Sequence, residues 1–317
     1  MRAFFHLVCL ALAILAAASP GRADIRVERR TYPGGPGAAL KVGCYRGLIE
    51  VEASSDGRFH IEVTVDPGTE DPVRSRRLLG NVLVGITPGG SAVDVTVRNP
   101  KESGWHFDDG TPQRLSVVCH CLVPPTCDLD LATRGGSISI GDLTGRVKAR
   151  GRHGTLFCRA IRGDIDADNE QGDIVVSRCS GVARLRAMQG NIRAGAFTGK
   201  LVAATTNGDI DVQGALGGAV ISATAGNITV GLPKDPGGET RIETDGGAIT
   251  VRLGAEAHCS LRASSVWGKV HLRTMLPVVV KSGGDGRKTL EGVLNGGGPL
   301  VLVHASGGSV QIEPFTR

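Results

Sequence analysis

Apolar and polar residues alternate along much of this chain, and from residue 136 onwards the alternation recurs with a fixed period of 18 residues. Glycine marks the period in two series that are offset by nine residues. The first series is Gly136, Gly154, Gly172, Gly190, Gly208 and Gly226, and the second is Gly145, Gly163, Gly181, Gly199 and Gly217. Because every second residue after each glycine is apolar, each half of the period predicts a short β-strand with one buried face.

The apolar positions of successive periods form columns. Two residues after the first glycine, the column reads Ile138, Leu156, Ile174, Ile192, Ile210 and Ile228. A single period has too little apolar surface to be stable alone, so the periods must stack on one another. The pattern therefore predicts an all-β fold, a β-solenoid with an 18-residue coil, in which glycine occupies the tight corners.

The period becomes longer towards the C-terminus. Gly247 follows Gly226 after 21 residues, Gly268 follows after another 21, and Gly308 follows after 40. The extra residues fall in loops rich in Gly and Pro at 233–238 and 282–286. Stacked in chain order, nine or ten coils predict a rod of about 45 Å.

Residues 24–113 lack the repeat but contain strand-like runs at 48–53, 59–65 and 92–98, separated by Gly, Pro, Ser and Asp. We expect an antiparallel β region that caps the first coil, because an open end of a solenoid exposes unpaired strand groups. A short helix is compatible with residues 73–84, although Gly80 interrupts it. The repeat domain is predicted to span residues 114–317.

The N-terminus has the pattern of a secretory signal peptide over residues 1–23. Arg2 precedes an apolar run from Leu7 to Ala18, which is followed by small residues. The run is short for a membrane span, and no second candidate follows it. We therefore expect an exported protein, periplasmic or extracellular and associated with the cell envelope, without a transmembrane segment after cleavage. Seven cysteines would remain, and an oxidising compartment would permit disulfides between them.

Composition narrows the range of functions. The formal net charge of +5 falls to 34 − 31 = +3 once the two arginines of the leader are removed, which is too weak to indicate nucleic-acid binding. Aromatic residues make up only 3% of the chain, so a platform that stacks bases or sugars is disfavoured.

Several segments resemble a known family. These are Leu115-Ser116-Val117-Val118, the run from Cys127 to Thr133, the repeated Gly-Asp-Ile and Gly-Asn-Ile units, and the closing run from Leu294 to Ile312. In this order they resemble the "putative adhesin" β-strand-repeat family of bacterial envelope proteins, domain of unknown function 4097. The resemblance covers roughly residues 40–313. It implies a right-handed, single-stranded solenoid on an exported or envelope-attached protein, and it implies no activity.

Two groups of acidic and amide residues are candidates for chemistry. Asp173, Asn191, Asp209 and Asn227 follow successive corner glycines and could bind calcium, but a ladder of Asx turns is favoured because carboxylates occupy only every second coil. Asp164, Asp166, Asp209 and Asp211 could serve a β-helix lyase or hydrolase. They fall in different half-repeats and no histidine joins them, so solvated faces are favoured.

Cysteine and histidine supply the third candidate, Cys119-His120-Cys121 with Cys127. On a strand the two cysteines point to one side and His120 to the other, which disfavours a zinc or copper site. A disulfide with Cys127 or Cys44, or simple core packing, is preferred. Cys158 and Cys179 fall in apolar columns and are predicted to be core residues.

The sequence therefore favours a non-enzymatic scaffold or adhesin-like binding protein of the cell envelope, with no cofactor and no metal. A surface glycan or an envelope protein is the expected partner, contacted through repeating polar faces to which Arg184, Arg186, Arg193 and Lys200 contribute. The alternatives are a polysaccharide-acting β-helix enzyme and a partner in envelope stress.

Overall fold

The computed structural model describes residues 25–100, 115–273 and 276–315. The 27 strands of the described residues belong to two large sheets, which we call sheet A, with 13 strands, and sheet B, with 14 strands. The two sheets face each other, and the apolar side chains between them form one continuous core. The predicted signal peptide lies outside the described residues.

The N-terminal elements precede the repeat. They are β1 (Arg26–Tyr32), β2 (Ala39–Cys44), β3 (Leu48–Ala53), β4 (Phe59–Asp66), α1 (Pro72–Gly80), β5 (Leu83–Gly89), β6 (Ala92–Arg98) and β7 (Ser116–Val123). In sheet A, β1 and β4 pair antiparallel with each other, and β4 pairs antiparallel with β7. In sheet B, β5 pairs antiparallel with β6.

The predicted cap at residues 24–113 is therefore only partly antiparallel. Strand β3 pairs in parallel with β7, and β2 pairs in parallel with β6. Together β2 and β3 form a coil like those of the repeat. Sequence reasoning missed this coil because no corner glycine with the 18-residue spacing precedes it.

The helix α1 begins at a defined cap. The Asp71 carboxylate accepts hydrogen bonds from the backbone N–H groups of Val73 and Arg74, and Pro72 occupies the first turn, where its missing N–H is not needed. In the described part of the chain, no helix has the length and the hydropathy that a membrane span requires.

The repeat region is a regular alternation of strands between the two sheets. Its strands are β8 (Asp128–Thr133), β9 (Ile138–Thr144), β10 (Val147–His153), β11 (Leu156–Arg162), β12 (Ile165–Gln171), β13 (Ile174–Cys179), β14 (Ala183–Gln189), β15 (Ile192–Phe197), β16 (Leu201–Asn207), β17 (Ile210–Ala215), β18 (Ala219–Ala225) and β19 (Ile228–Leu232). Odd-numbered strands from β9 onwards lie in sheet A and even-numbered strands from β8 lie in sheet B, all paired in parallel.

The strand register brings residues 18 positions apart into lateral pairs. In sheet A, Ile174 pairs with Ile192, and Ile192 pairs with Ile210. In sheet B, Ile165 pairs with Ala183. All of these side chains are buried, so large aliphatic groups in sheet A face a mixture of small and large ones in sheet B. This arrangement produces a thin core without aromatic stacking.

Glycine is required where one coil turns over the next. Gly190 has a φ of 155°, and a Cβ atom on it would lie 2.1 Å from the carbonyl oxygen of Gly172 in the coil below. No side chain fits at that distance, so the corner column excludes every other residue type.

The C-terminal strands do not stack in chain order. They are β20 (Thr240–Thr244), β21 (Ile249–Leu253), β22 (Cys259–Ser265), β23 (Val270–Leu272), β24 (Val278–Gly283), β25 (Thr289–Leu294), β26 (Leu300–Ala305) and β27 (Val310–Pro314). Strand β26 lies between β20 and β22 in sheet B, and β27 lies between β21 and β23 in sheet A.

The last coil of the chain is thus inserted beneath the coil that precedes it in sequence. The expectation of sequential stacking is wrong at this end. A Cβ atom on Gly308 would meet the carbonyl oxygen of Gly247, and one on Gly268 would meet that of Gly308. The hairpin of β24 and β25 then covers the exposed edge of β22 through antiparallel pairing.

Candidate binding surface

The stacked acids and amides at one corner form a hydrogen-bonded ladder. The Asp173 carboxylate accepts the backbone N–H of Asn191 at 2.9 Å, and the Asn191 side-chain oxygen accepts the N–H of Asp209 at 2.9 Å. Asp209 in turn accepts the N–H of Asn227 at 2.7 Å. The second oxygen of Asp173 accepts a hydrogen bond from Arg193 at 2.8 Å. These oxygens hold adjacent coils together as a ladder, and each bond spans 18 residues instead of the two residues of a local Asx turn.

The acids considered for an enzyme are kept apart by the fold. Asp164 precedes β12 of sheet B, and its carboxylate accepts the Val182 N–H at 2.9 Å. Asp166 lies on the outer face of the same strand, 3.6 Å from Arg186. Asp209 and Asp211 belong to the opposite corner and to β17 of sheet A. The structure therefore places Asp164 and Asp166 at one sheet and Asp209 and Asp211 at the other.

The Cys119-His120-Cys121 segment lies on β7 with both cysteines buried and His120 on the outer face of sheet A. His120 pairs laterally with Glu50 on one side and with Glu62 on the other. Cys127, Cys158 and Cys179 are also buried. Among the described residues, no group of three or more His, Cys, Asp or Glu side chains is arranged to hold a metal ion.

Burial suppresses the reactivity of most of these thiols. It raises the pKa of Cys121, Cys127 and Cys158 to about 12 in each case, because a buried thiolate loses its hydration. These cysteines are therefore protonated at neutral pH and behave as small apolar groups in the core.

One column of buried side chains was missed by the sequence reasoning. It runs along the last inward position of sheet B and alternates polar with small residues: Thr133, Gly151, Asn169, Ala187, Thr205, Ala223, Thr244, Ala305 and Ser265. The Asn169 amide donates to the carbonyl of Gly154 at 2.8 Å, and the Thr205 hydroxyl donates to that of Gly190 at 3.2 Å. Thr244 and Ser265 likewise donate to the carbonyls of Gly226 and Gly308, so a buried polar group on alternate coils ties sheet B to the corner glycines from Asn169 onwards. The Thr133 hydroxyl is buried without a hydrogen-bond partner among the described residues. The alternation at the 18-residue spacing was the available signal.

The outer face of sheet B carries charges of alternating sign along the stack. In lateral order, one column reads Asp94, Lys41, Asp130, Lys148, Asp166 and Arg184. Opposite charges on neighbouring strands favour the parallel register, and like charges would oppose it. Because these side chains are partly exposed, each pair contributes little to the free energy of unfolding.

A groove of about 940 Å³ lies on this face at the N-terminal end of the stack. Its cationic side chains outnumber its acids. We call it the basic groove and define it by the cations Lys41, Arg98, Arg134, Arg150 and Arg152, together with the acids Asp94 and Glu170.

Two of the five cations of the basic groove have no carboxylate within ion-pair distance among the described residues. Lys41, Arg150 and Arg152 lie within 4 Å of Asp94, Asp130 and Glu170, respectively. Within the part of the chain that the structure describes, Arg98 and Arg134 form no ion pair, and both are exposed. Arg98 is the last residue of β6 and Arg134 follows β8. These strands are separated in sheet B by β2 alone, so the two guanidinium groups belong to alternate coils.

The corresponding region of sheet A has the opposite character. Its outer face presents Glu50, Glu52 and Glu62 around His120. The cation of Arg29 holds the pKa of Glu62 below its ordinary value through a hydrogen bond and charge attraction. The N-terminal end of the molecule is therefore basic on one face and acidic on the other.

The arginines singled out from the repeat lie outside the basic groove. Arg184 and Arg186 continue along the outer face of sheet B, while Arg193 lies on sheet A and bonds to Asp173. The groove cations Arg98 and Arg134 were not singled out, because β6 and the corner after β8 stand outside the glycine repeat.

Comparison with known proteins gives a match to one family. The model of the Toastrack DUF4097 family matches residues 47–313, which is most of the chain. None of the curated proteins matches it.

Among solved structures, a putative adhesin from Parabacteroides distasonis ATCC 8503 is similar over 92% of this chain and 99% of its own, with 11% identity and a TM-score of 0.46. A putative adhesin from Parabacteroides merdae ATCC 43184 covers 92% of this chain and 97% of its own, with 13% identity and a TM-score of 0.42. A putative lipid binding protein from P. distasonis covers 90% and 96%, with 13% identity and a TM-score of 0.32.

Proposed function

Since this chain belongs to the Toastrack DUF4097 family, we propose that it is an exported, non-enzymatic, adhesin-like binding protein of the bacterial cell envelope. Its ligand is an acidic glycan, which binds in the basic groove on the outer face of sheet B. The rest of the molecule is a right-handed solenoid of 18-residue coils that holds this groove rigidly. Lateral pairs such as Ile174 with Ile192 support this coil length.

The observation that carries the proposal is the pair of uncommitted guanidinium groups in the groove. Arg98 and Arg134 are exposed and lack a carboxylate partner among the described residues, while the acids nearby are already paired with other cations. Guanidinium groups bind carboxylate and sulfate groups through paired hydrogen bonds. Their placement on alternate coils suits a polymer that presents acidic groups at regular intervals, since several weak contacts then act together.

A non-enzymatic role is supported by the hydrogen bonds and ion pairs that the acidic side chains already form. Asp164, Asp173 and Asp209 accept backbone hydrogen bonds from the next coil, and Asp166 is paired with Arg186. General acid–base catalysis needs two groups that can reach one substrate. These four acids instead hold neighbouring coils together or pair with arginine.

The test is binding of the full chain to three polysaccharides: polygalacturonate, chondroitin sulfate and uncharged dextran. We expect binding to at least one acidic polymer, weaker binding at higher salt because the contacts are exposed charges, and no binding to dextran. The double variant Arg98→Gln/Arg134→Gln should weaken binding at least tenfold.

The matched control is Arg58→Gln/Arg287→Gln, which removes the same charge from exposed sites outside the groove. It should bind as the wild type does. Binding to neither acidic polymer, or an equal loss in both double variants, would overturn the proposal.

A further inference from the structure

Two cysteines from opposite sheets meet inside the core near the N-terminal end. Cys44 ends β2 in sheet B, and Cys119 lies in the middle of β7 in sheet A. The turn after Cys44 leads directly to Ile49, which is the lateral partner of Cys119. Cys44 is 4% exposed and Cys119 is fully buried. Their thiols contact each other.

The environment of this pair favours one thiol as the attacking group. The neighbouring Cys119 thiol lowers the pKa of Cys44 by hydrogen bonding, whereas the same contact and burial raise the pKa of Cys119. Cys44 is therefore the thiol of the pair whose pKa is shifted downwards, and its Sγ also donates to the Arg46 carbonyl at 2.9 Å. A thiolate next to a second thiol is the arrangement from which disulfides form.

The other cysteines are placed less favourably for pairing. Cys119 and Cys121 are two residues apart on one strand, too close along the chain and too far apart in space for a relaxed bridge. Cys158 pairs laterally with Val176 and Cys179 with Ile161, so these two cysteines are offset by three positions along their strands. Cys259 lies near the opposite end of the stack.

We propose that Cys44 and Cys119 form a disulfide in the exported protein, joining sheet B to sheet A across the core. Two S–H bonds break and one S–S bond forms. The two protons and two electrons pass to an oxidant of the disulfide class, such as oxidised glutathione or an oxidoreductase disulfide, which becomes two thiols. The bridge closes the chain between residues 44 and 119, which includes the antiparallel strands β4 and β5. Five of the seven cysteines remain thiols.

The experiment is thiol mapping of the full chain after equilibration in a buffer of oxidised and reduced glutathione. The protein is unfolded in an alkylating reagent without reductant, and the products are identified by mass spectrometry. We expect five alkylated cysteines among the seven and one peptide pair linked through Cys44 and Cys119. Prior reduction should give seven alkylated cysteines and a lower Tm.

Two variants separate this bridge from core packing. Cys119→Ala should leave six alkylatable thiols and a Tm that reductant no longer changes. Cys121→Ala removes an equally buried thiol from the same strand and should keep both the linkage and the sensitivity to reductant. Seven free thiols in the oxidised wild type, or a linkage through another cysteine, would overturn the proposal. If a variant does not fold, the thiol mapping of the wild-type protein alone still tests the proposal.

Discussion

Along one corner of the stack, a side-chain oxygen of each coil connects it to the next from Asp173 to Asn227. The Asn191 side-chain oxygen accepts the backbone N–H of Asp209, and the Asn191 backbone N–H donates to the Asp173 carboxylate. Its neutral amide lies between the carboxylates of Asp173 and Asp209, which are two coils apart. A carboxylate at position 191 would lie one coil, about 4.8 Å, from each of them. The alternation of Asp and Asn thus keeps the hydrogen bonds while it avoids adjacent like charges.

Asn191→Asp should therefore destabilise the protein at neutral pH by about 1–3 kcal/mol, because three carboxylates would be stacked. Like-charge repulsion raises the folded-state pKa of the introduced carboxyl above its unfolded value of about 3.9. The destabilisation is then full at pH 7 and disappears as the pH falls below that value. Urea unfolding of both proteins between pH 3.5 and pH 7 measures the difference.

The control is Asp209→Asn, which keeps the acceptor for the Asn227 N–H but removes a charge. We expect its stability at pH 7 to stay close to that of the wild type. If Asn191→Asp were equally harmless at pH 7, charge alternation would not be the reason for this pattern.

At the scale of strands, the last inward position of sheet B can hold polar side chains because large and small residues alternate along it from one strand to the next. Asn169 is fully buried and its amide donates to the Gly154 carbonyl, and a Cβ atom on Gly151 would lie 2.6 Å from its oxygen. The neighbour on the other side is Ala187. A large polar side chain is thus accommodated on one strand only because the flanking strands carry small residues.

This packing predicts a strong coupling between two substitutions. Gly151→Ala should cost about 1–3 kcal/mol in the wild type, because Asn169 cannot move away without losing its hydrogen bond. In an Asn169→Ala background, the same Gly151→Ala change should cost much less. A double-mutant cycle by urea unfolding measures this, and additive effects would contradict the steric account.

Much of the strand arrangement could be predicted because each repeat strand pairs with residues a fixed 18 positions away. The columns containing Ile174 and Ile165 follow directly from that spacing. The order at the C-terminus could not be predicted. Gly268 and Gly308 are followed by the same strand pattern, and nothing local shows which of them stacks on Gly247.

The candidate site was less predictable than the fold. The corner acids were visible as a repeat, and their hydrogen bonds occupy the positions that the spacing indicates. The basic groove depends on Arg98 and Arg134. They lie two strands apart in sheet B because β2 pairs with both β6 and β8. That pairing joins distant parts of the sequence, and no periodic signal marks it.

For the whole molecule, antiparallel strands cover much of each end of the parallel stack. At the N-terminal end, β4 and β1 extend sheet A and β5 extends sheet B, and at the other end β25 and β24 extend sheet B. These antiparallel strands cover edges at which the stack could otherwise pair with a further parallel strand from another chain. Insertion of the last coil between two earlier ones fixes the C-terminal end as well.

The central claim is that coils separated by 18 residues are interchangeable layers of one stack, and a matched pair of deletions tests it most directly. Removing residues 175–210 takes out two periods and joins Ile174 to Asp211, so the inward and outward positions and the alternation of Asp with Asn are kept. Removing residues 176–210 leaves one residue more and places Asp211 at an inward position, since a one-residue slip reverses every face of a strand.

Thermal unfolding followed by far-ultraviolet circular dichroism is the measurement. The account predicts that the two-period deletion keeps a β-rich spectrum and a cooperative transition, whereas the deletion that is one residue shorter loses several kcal/mol of stability or fails to fold. Equal behaviour of the two proteins, whether both fold or neither does, would contradict it.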